Sequence, residues 1–298
     1  SVAGEIVSGN HIEDQKMKIL VTGVGGQLGY DVCKVLDARK IENKGVDLAD
    51  FDITDAQATH DYIAAYRPEA VIHCSAWTAV DKAEDELDKV RAVNTEGPRN
   101  IAKVCKEIGA KMLYISTDYV FPGKSERFYE PDDPTGPLGA YGSTKLGGEL
   151  AVKEQLDNYF IVRISWVFGK NGNNFVKTML RLAETHYELN VVCDQIGSPT
   201  YTADLAPLLC DMIVTEKYGT YHATCQGVCN RYEFAQEVLK LAGKRITLRP
   251  VVTSESDLSS ARPAYAVLDN FILRIINVYE MPDWRASLKE YMDERMED

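Results

Sequence analysis

The chain has 298 residues, too many for one minimal core and too few for three ordinary domains, and its 45% hydrophobic and 26% charged residues exclude disordered, collagen-like and coiled-coil chains. Lys and Arg number 33 against 45 Asp and Glu, giving a net charge of −12, so no diffuse basic field exists for duplex nucleic acid or an anionic membrane. Any anionic ligand must be held by local geometry such as a helix N-terminus or a few placed cations. The seven scattered cysteines include Cys225 and Cys229 without a second Cys/His pair at zinc spacing, and they read as reduced thiols. With no signal-peptide pattern and no apolar run of membrane-spanning length, a cytoplasmic protein is expected.

In chain order, residues 1–16 read as an extension that precedes the first strand, Lys18–Thr22. Helix follows over Gln27–Asp37, a short second strand ends at Val46 and Asp47, and helix resumes over Thr54–Tyr66, with Thr54 as N-cap and Arg67-Pro68 as the stop. A strand at Ala70–Cys74, a helical region within Glu84–Ile108 and a strand at Met112–Ser116 come next. Turn residues fill 122–137, helix covers Tyr141–Glu154, and Tyr159–Ser165 is a strand. Short apolar runs alternating with 3.6-period segments predict an α/β fold, a Rossmann-type doubly wound parallel sheet. A cofactor-binding portion over 17–167 and a smaller, mainly substrate-binding portion over 168–298 are expected, with a soft boundary that the chain crosses more than once. Helical patches at 175–184, 202–215, 231–242 and 284–294 populate the latter.

Three features carry chemistry. Gly23, Gly26 and Gly29 punctuate the passage from the first strand into the first helix, where a tight turn, backbone approach to a pyrophosphate and close helix packing are needed. Eighteen residues beyond Gly29, Asp47 stands where a carboxylate accepts the adenosine ribose hydroxyls, favouring NADH; Arg39, Lys40 and Lys44 nearby keep NADPH open. Asp52 and Ile53 stand where the adenine edge would lie. Tyr141 and Lys145, four apart on a predicted helix, share one face, so an ammonium can stabilise a phenolate and make the phenol a general acid. Thr117 brings a hydroxyl to the C-terminal edge of the sheet, where it can polarise a carbonyl, and small residues at Ser75, Ala76 and Ala79 let a cofactor lie against backbone.

Together with Ala79–Glu84, Ser116–Gly123, Arg163–Gly169, Gly172–Phe175 and Asp194–Thr200, these residues resemble the dTDP-4-dehydrorhamnose reductases, a family of extended short-chain dehydrogenase/reductases, from Met17 nearly to the end. The resemblance implies reduction of the 4-keto group of dTDP-4-dehydro-6-deoxy-L-mannose to dTDP-L-rhamnose by NADPH or NADH. It implies Tyr141 as proton donor, Lys145 as its modulator and ribose ligand, and Thr117 as the assisting hydroxyl. Gly26, Gln27 and Leu28 would face the pyrophosphate, while Ala76, Trp77, Thr78 and Ile115 would line the cofactor, Trp77 through its backbone alone. Thr117, Asp118 and Trp166 would contact the sugar, and Asn174 and Gln195 would hydrogen-bond the nucleotide sugar. Arg262 is a candidate for the diphosphate, with a solvated loop arginine as the alternative. Some members hold Mg²⁺ through Glu side chains at a dimer contact, so a homodimer is an assembly the resemblance allows. Here the shorter Asp31 stands at the first-helix position, which speaks against the metal.

Two other readings stay in competition. A nucleotide-sugar 4-epimerase shares the scaffold but retains its NAD through the cycle, and a non-catalytic, reductase-like regulatory subunit shares the pattern. A dehydratase is disfavoured because Tyr119, where that group has Glu, follows Asp118.

Overall fold

A computed structural model describes residues 17–255, 262–276 and 280–297, so the expected extension over residues 1–16 lies outside the described residues. Six strands form one parallel sheet: β1 (Ile19–Thr22), β2 (Asn43–Val46), β3 (Ala70–His73), β4 (Lys111–Thr117), β5 (Tyr159–Ile164) and β6 (Gly219–His222). Their order across the sheet is β6-β5-β4-β3-β1-β2. The order reverses between β1 and β3, where helices that cover opposite faces diverge and leave a crevice at the carboxyl ends of the strands.

The strands are buried on both faces, and their sequences split accordingly. Ile19 and Val21 of β1, Leu113 and Ile115 of β4 and Phe160 and Val162 of β5 join one core, with Val32 and Leu36 of α1 (Gln27–Ala38) and Leu205 and Leu209 of α6 (Thr202–Ile213). Leu20, Val71, Met112, Tyr114 and Ile161 face the other core, with Ile63 of α2 (Ala56–Tyr66), Ile101 and Cys105 of α3 (Gly97–Ile108) and Val152 of α4 (Ala140–Gln155). Period-2 strands pressed between two helical layers read as continuous apolar runs, and each fully buried Ile, Leu or Phe contributes about 2 kcal/mol.

The sheet is not contained in 17–167: β6 comes from past residue 168 and pairs in parallel with β5, Tyr221 opposite Val162. The rest of the later chain builds a satellite from α5 (Phe175–Thr185), α7 (Arg231–Leu241), α8 (Trp284–Glu297) and a parallel strand pair, Glu188–Val192 with Thr247–Val251. Its aromatic centre stacks Phe168 on Tyr201 at 5.2 Å and sets Phe234 edge-on to Trp284 at 5.7 Å. The expected N-cap of α2, Thr54, is replaced by Asp55, whose carboxylate accepts the Ala58 amide; Thr54 instead binds the Asp52 carboxylate. All seven cysteines are free thiols. Among the described residues, no helix is long and apolar enough to cross a membrane.

Candidate active site

The loop from β1 to α1 opens the crevice. Gly23 sits at φ 72°, and a Cβ there would stand 2.8 Å from the Ser75 amide nitrogen, so only glycine lets the loop press against the end of β3. A Cβ on Gly29 would collide with the Gly23 carbonyl, so α1 can start this close to the turn only with glycine there. Gly26, the N-cap of α1, provides no side-chain cap, which leaves the first-turn amides of a 12-residue helix pointing at a cavity of about 730 Å³. This is the arrangement a pyrophosphate requires. Asn171 donates to the Gly25 and Gly26 carbonyls and braces the loop from the far side. At the β2 end, the Asp47 carboxylate accepts the Gly25 amide at 2.7 Å.

The same cavity is walled by Gly23, Gly26, Gln27, Leu28, Gly29, Asp47, Ala76, Thr78 and Ile115, and by Thr117, Asp118, Tyr141, Lys145 and Trp166. The loop and the polar groups, distant in sequence, thus face one space. Trp77 does not line it: its backbone is pinned to Asn94, and its indole N–H donates to the Ala79 carbonyl. Asp52 and Ile53 are not brought there either. Asp52 is turned to Thr54, and Ile53 packs beneath Gly97, its carbonyl accepting from Asn100.

Tyr141 and Lys145 occupy the first turns of α4, which lacks a side-chain cap of its own; the Glu84 carboxylate accepts the Ala140 amide at 2.7 Å. Lys145 is 3% exposed, and its Nζ donates to the Ile115 carbonyl at 2.7 Å and lies 4.5 Å from the Tyr114 ring centroid. Burial pulls its ammonium down to about 8, with the Glu149 charge opposing. Burial also raises the Tyr141 phenol, while the Thr117 hydroxyl favours its ionised form. The expected lowering of Tyr141 by Lys145 is therefore absent from this arrangement. The ammonium is committed to a backbone carbonyl, and desolvation keeps the phenol protonated, the state a proton donor must start from. Beside it, Asp118 is 2% exposed, accepts the Thr117 hydroxyl through Oδ1 and leaves Oδ2 without a partner; burial raises this carboxyl to about 7.

Trp166 takes a left-handed backbone, φ 48°, a costly conformation for a bulky residue. Its indole lies against Gly197, where a Cβ would come within 2.9 Å, and the Arg231 guanidinium lies 3.9 Å from the ring centroid. Arg231, the first residue of α7, was not legible as a site residue. Among the described residues its side chain makes no ion pair or hydrogen bond, and burial lowers its pKa against the pull of Tyr119 and Asp118. Trp166, Val167 and Arg231 also border a second cavity of about 590 Å³, lined by Phe175, Met179, Val191, Val192 and the expected Gln195 and Arg262.

Arg262 is not a solvated loop arginine: it forms a two-pronged pair with Asp81 at 2.9 and 3.1 Å. Asn174 is turned away from both cavities. As N-cap of α5 it accepts the Lys177 amide, and its Nδ2 donates to Gln27 and the Gly169 carbonyl. Asp31 does not fit a metal ligand, because it is 6% exposed between α1 and α6 and accepts the Thr202 hydroxyl at 2.5 Å. Among the described residues, the one carboxylate group clustered closely enough for an ion is Glu130, Asp132 and Asp133, in a loop away from the crevice, and Asp133 is engaged by Arg127.

Comparison with known proteins agrees with this geometry. The family described as "RmlD substrate binding domain" matches residues 17–296. A dTDP-4-dehydrorhamnose reductase of Streptomyces griseus is 42% identical over 278 residues, covering 91% of each chain. The solved dTDP-4-dehydrorhamnose reductase of Clostridium acetobutylicum is 43% identical, with a TM-score of 0.92 over 94% of this chain and all of that one. That of Bacillus anthracis, solved in complex with NADP, is 40% identical, with a TM-score of 0.91 over the same shares. From its glycine loop to its last helix, the chain belongs to the RmlD substrate binding domain family.

Proposed function

We propose that the protein reduces the 4-keto group of dTDP-4-dehydro-6-deoxy-L-mannose to give dTDP-L-rhamnose, using NADH or NADPH. The observation that carries this reading is the single cavity shared by the phosphate-cradling loop and the Thr117, Tyr141 and Lys145 set, in a chain about 40% identical to reductases of that name. The bound dihydronicotinamide supplies a hydride to the carbonyl carbon. Tyr141 gives its phenolic proton to the carbonyl oxygen as charge develops there, the Thr117 hydroxyl turns from Asp118 to donate to the phenolate left behind, and Lys145 adds a positive charge one helical turn away.

The sugar lies between Thr117, Asp118 and the Trp166 indole, and Asp118, protonated below about pH 7, donates to a sugar oxygen from Oδ2. Arg231, poised between the cavities, meets the diphosphate, and the nucleoside enters the second, largely apolar cavity beside Gln195. This moves the diphosphate role from Arg262, which is committed to Asp81. For the cofactor, Gly26, Gln27 and Leu28 hold the pyrophosphate and Asp47 the adenosine ribose. Arg39 is drawn off to Asp211 and Lys44 lies over the Tyr62 ring at 5.2 Å, which leaves Lys40 of the three nearby cations to meet a 2′-phosphate.

The test mixes purified protein with NADH or NADPH and a panel of dTDP- and UDP-4-ketosugars, following loss of dihydronicotinamide absorbance and the stereochemistry of the product. Oxidised cofactor released in step with product distinguishes a reductase from an epimerase. Tyr141→Phe is expected to cut turnover by about 10² to 10⁴ while cofactor binding holds. Full activity in that variant removes the proton donor from the scheme, and an inert wild type removes the reductase.

A further inference from the structure

Two contacts define where the reactive groups of α4 stand relative to β4: the Lys145 ammonium on the Ile115 carbonyl and the Thr117 hydroxyl at the Tyr141 phenol. Ser116 is the residue between them. Its side chain, on the same strand, is 2% exposed and donates to Glu149 Oε2 at 2.6 Å. Glu149 is the next member of the series Tyr141, Lys145, Glu149, spaced four apart along one face of α4, and it is fully buried. The helix and the strand are therefore joined at three successive points, the middle residue of the strand segment being fixed by the last residue of the helix face.

A carboxylate at 0% exposure persists only with full compensation. Arg163 of β5 supplies it through Nε at 3.0 Å and Nη2 at 2.7 Å to the two Glu149 oxygens. The arginine's remaining Nη1 donates to the Pro131 carbonyl at 3.0 Å and faces His222 Nε2 at 3.2 Å, while His222 Nδ1 bonds the Tyr129 carbonyl. Because Nδ1 faces a carbonyl, it carries the proton and Nε2 is the acceptor; burial holds this imidazole neutral, at about 3. The chain of bonds runs from β4 through α4 and β5 to β6, which is contributed by the later part of the chain. Serving no substrate itself, it ties the catalytic helix to the far edge of the sheet.

We infer that Glu149 is a positioning residue for the Tyr141 and Lys145 pair, acting through Ser116 and held by Arg163. The inference rests on the reductase reading above. If β4 slips or twists at Ser116, the Ile115 carbonyl and the Thr117 hydroxyl, which flank it on the strand, move with it. A displacement of about 1 Å is enough to misalign proton transfer by one to two orders of magnitude in rate.

Ser116→Ala tests this without stranding a charge, because Glu149 keeps both bonds to Arg163. The expected result is a loss of kcat of about tenfold with KM for NADH and for the ketosugar within about twofold of wild type. Glu149→Gln should lose more, and the double variant should lose no more than Glu149→Gln alone, the signature of a residue acting through another. Amide hydrogen exchange gives a readout independent of turnover. Exchange in the 141–149 segment of Ser116→Ala should quicken by about tenfold, with α1 and β1 unchanged. Wild-type kcat together with wild-type exchange in Ser116→Ala, or additive losses in the double variant, overturns the inference. A lowered Tm with unchanged kcat overturns it too, by leaving Ser116 a merely structural role. An inert wild type sinks the reductase reading instead, and the exchange comparison then decides the bracing alone.

Discussion

Asp118→Asn should stabilise the fold, and the size of the effect follows from burial. The Asp118 carboxyl is 2% exposed, Oδ2 has no partner, and desolvation raises it from 3.8 to about 7. A raised folded-state pKa means that the folded chain keeps a proton which the unfolded chain releases. The favourable contribution is complete below about pH 4 and disappears as pH rises through about 7. A shift of about three units at about 1.4 kcal/mol each sets a penalty of about 4 kcal/mol at pH 8, of which about 2–3 kcal/mol develops above pH 5. The asparagine variant does not titrate and keeps the oxygen that accepts from Thr117. Its advantage over wild type should therefore grow from pH 5 to pH 8 by about 5 °C or more in Tm for a chain of this size, measured by thermal denaturation without ligand. A Tm difference that stays constant with pH refutes the reasoning, because it means that the carboxyl in the fold titrates as it does in the unfolded chain.

Two further substitutions probe the two anion-holding devices. Arg231→Met keeps the packing over Trp166 but removes the charge; KM for the dTDP-sugar should rise about tenfold to a hundredfold while NADH affinity, read by fluorescence, stays within about twofold. An unchanged KM would return the diphosphate to other groups. Gly23→Ala forces a side chain into a left-handed position and against the Ser75 amide, so it should weaken NADH binding at least tenfold in a titration; wild-type affinity would mean that the loop has room that this packing denies.

What the sequence conveyed was local and periodic. The glycine spacing, the four-residue step from Tyr141 to Lys145 and the strand-ending Thr117 all lie within one turn or one strand, and the fold places them in the crevice that their order implies. Residues whose role depends on a distant partner were misread or missed. Arg262 was a candidate for the diphosphate because its partner Asp81 is far away in sequence. Asn174 looked like a ligand because an N-cap and a sugar contact use the same amide. Arg231 gave no signal because its meaning comes from Trp166, which α7 meets only in the folded satellite. Lys145 was expected beside the phenol, yet its ammonium binds a strand carbonyl, a choice made by tertiary burial that helix spacing does not encode.

The late arrival of β6 also bears on biosynthesis. Until Gly219–His222 emerge, β5 is an uncovered edge, rich in β-branched and aromatic residues and open to mispairing with any neighbouring extended chain. The two strands are separated by 54 residues, running from 165 to 218, which is about three to ten seconds of translation. During that window Arg163 has no His222 to face. A nascent chain stalled in the satellite would thus present an aggregation-prone edge, and synonymous changes that slow translation between β5 and β6 should lower the soluble yield without altering the finished enzyme.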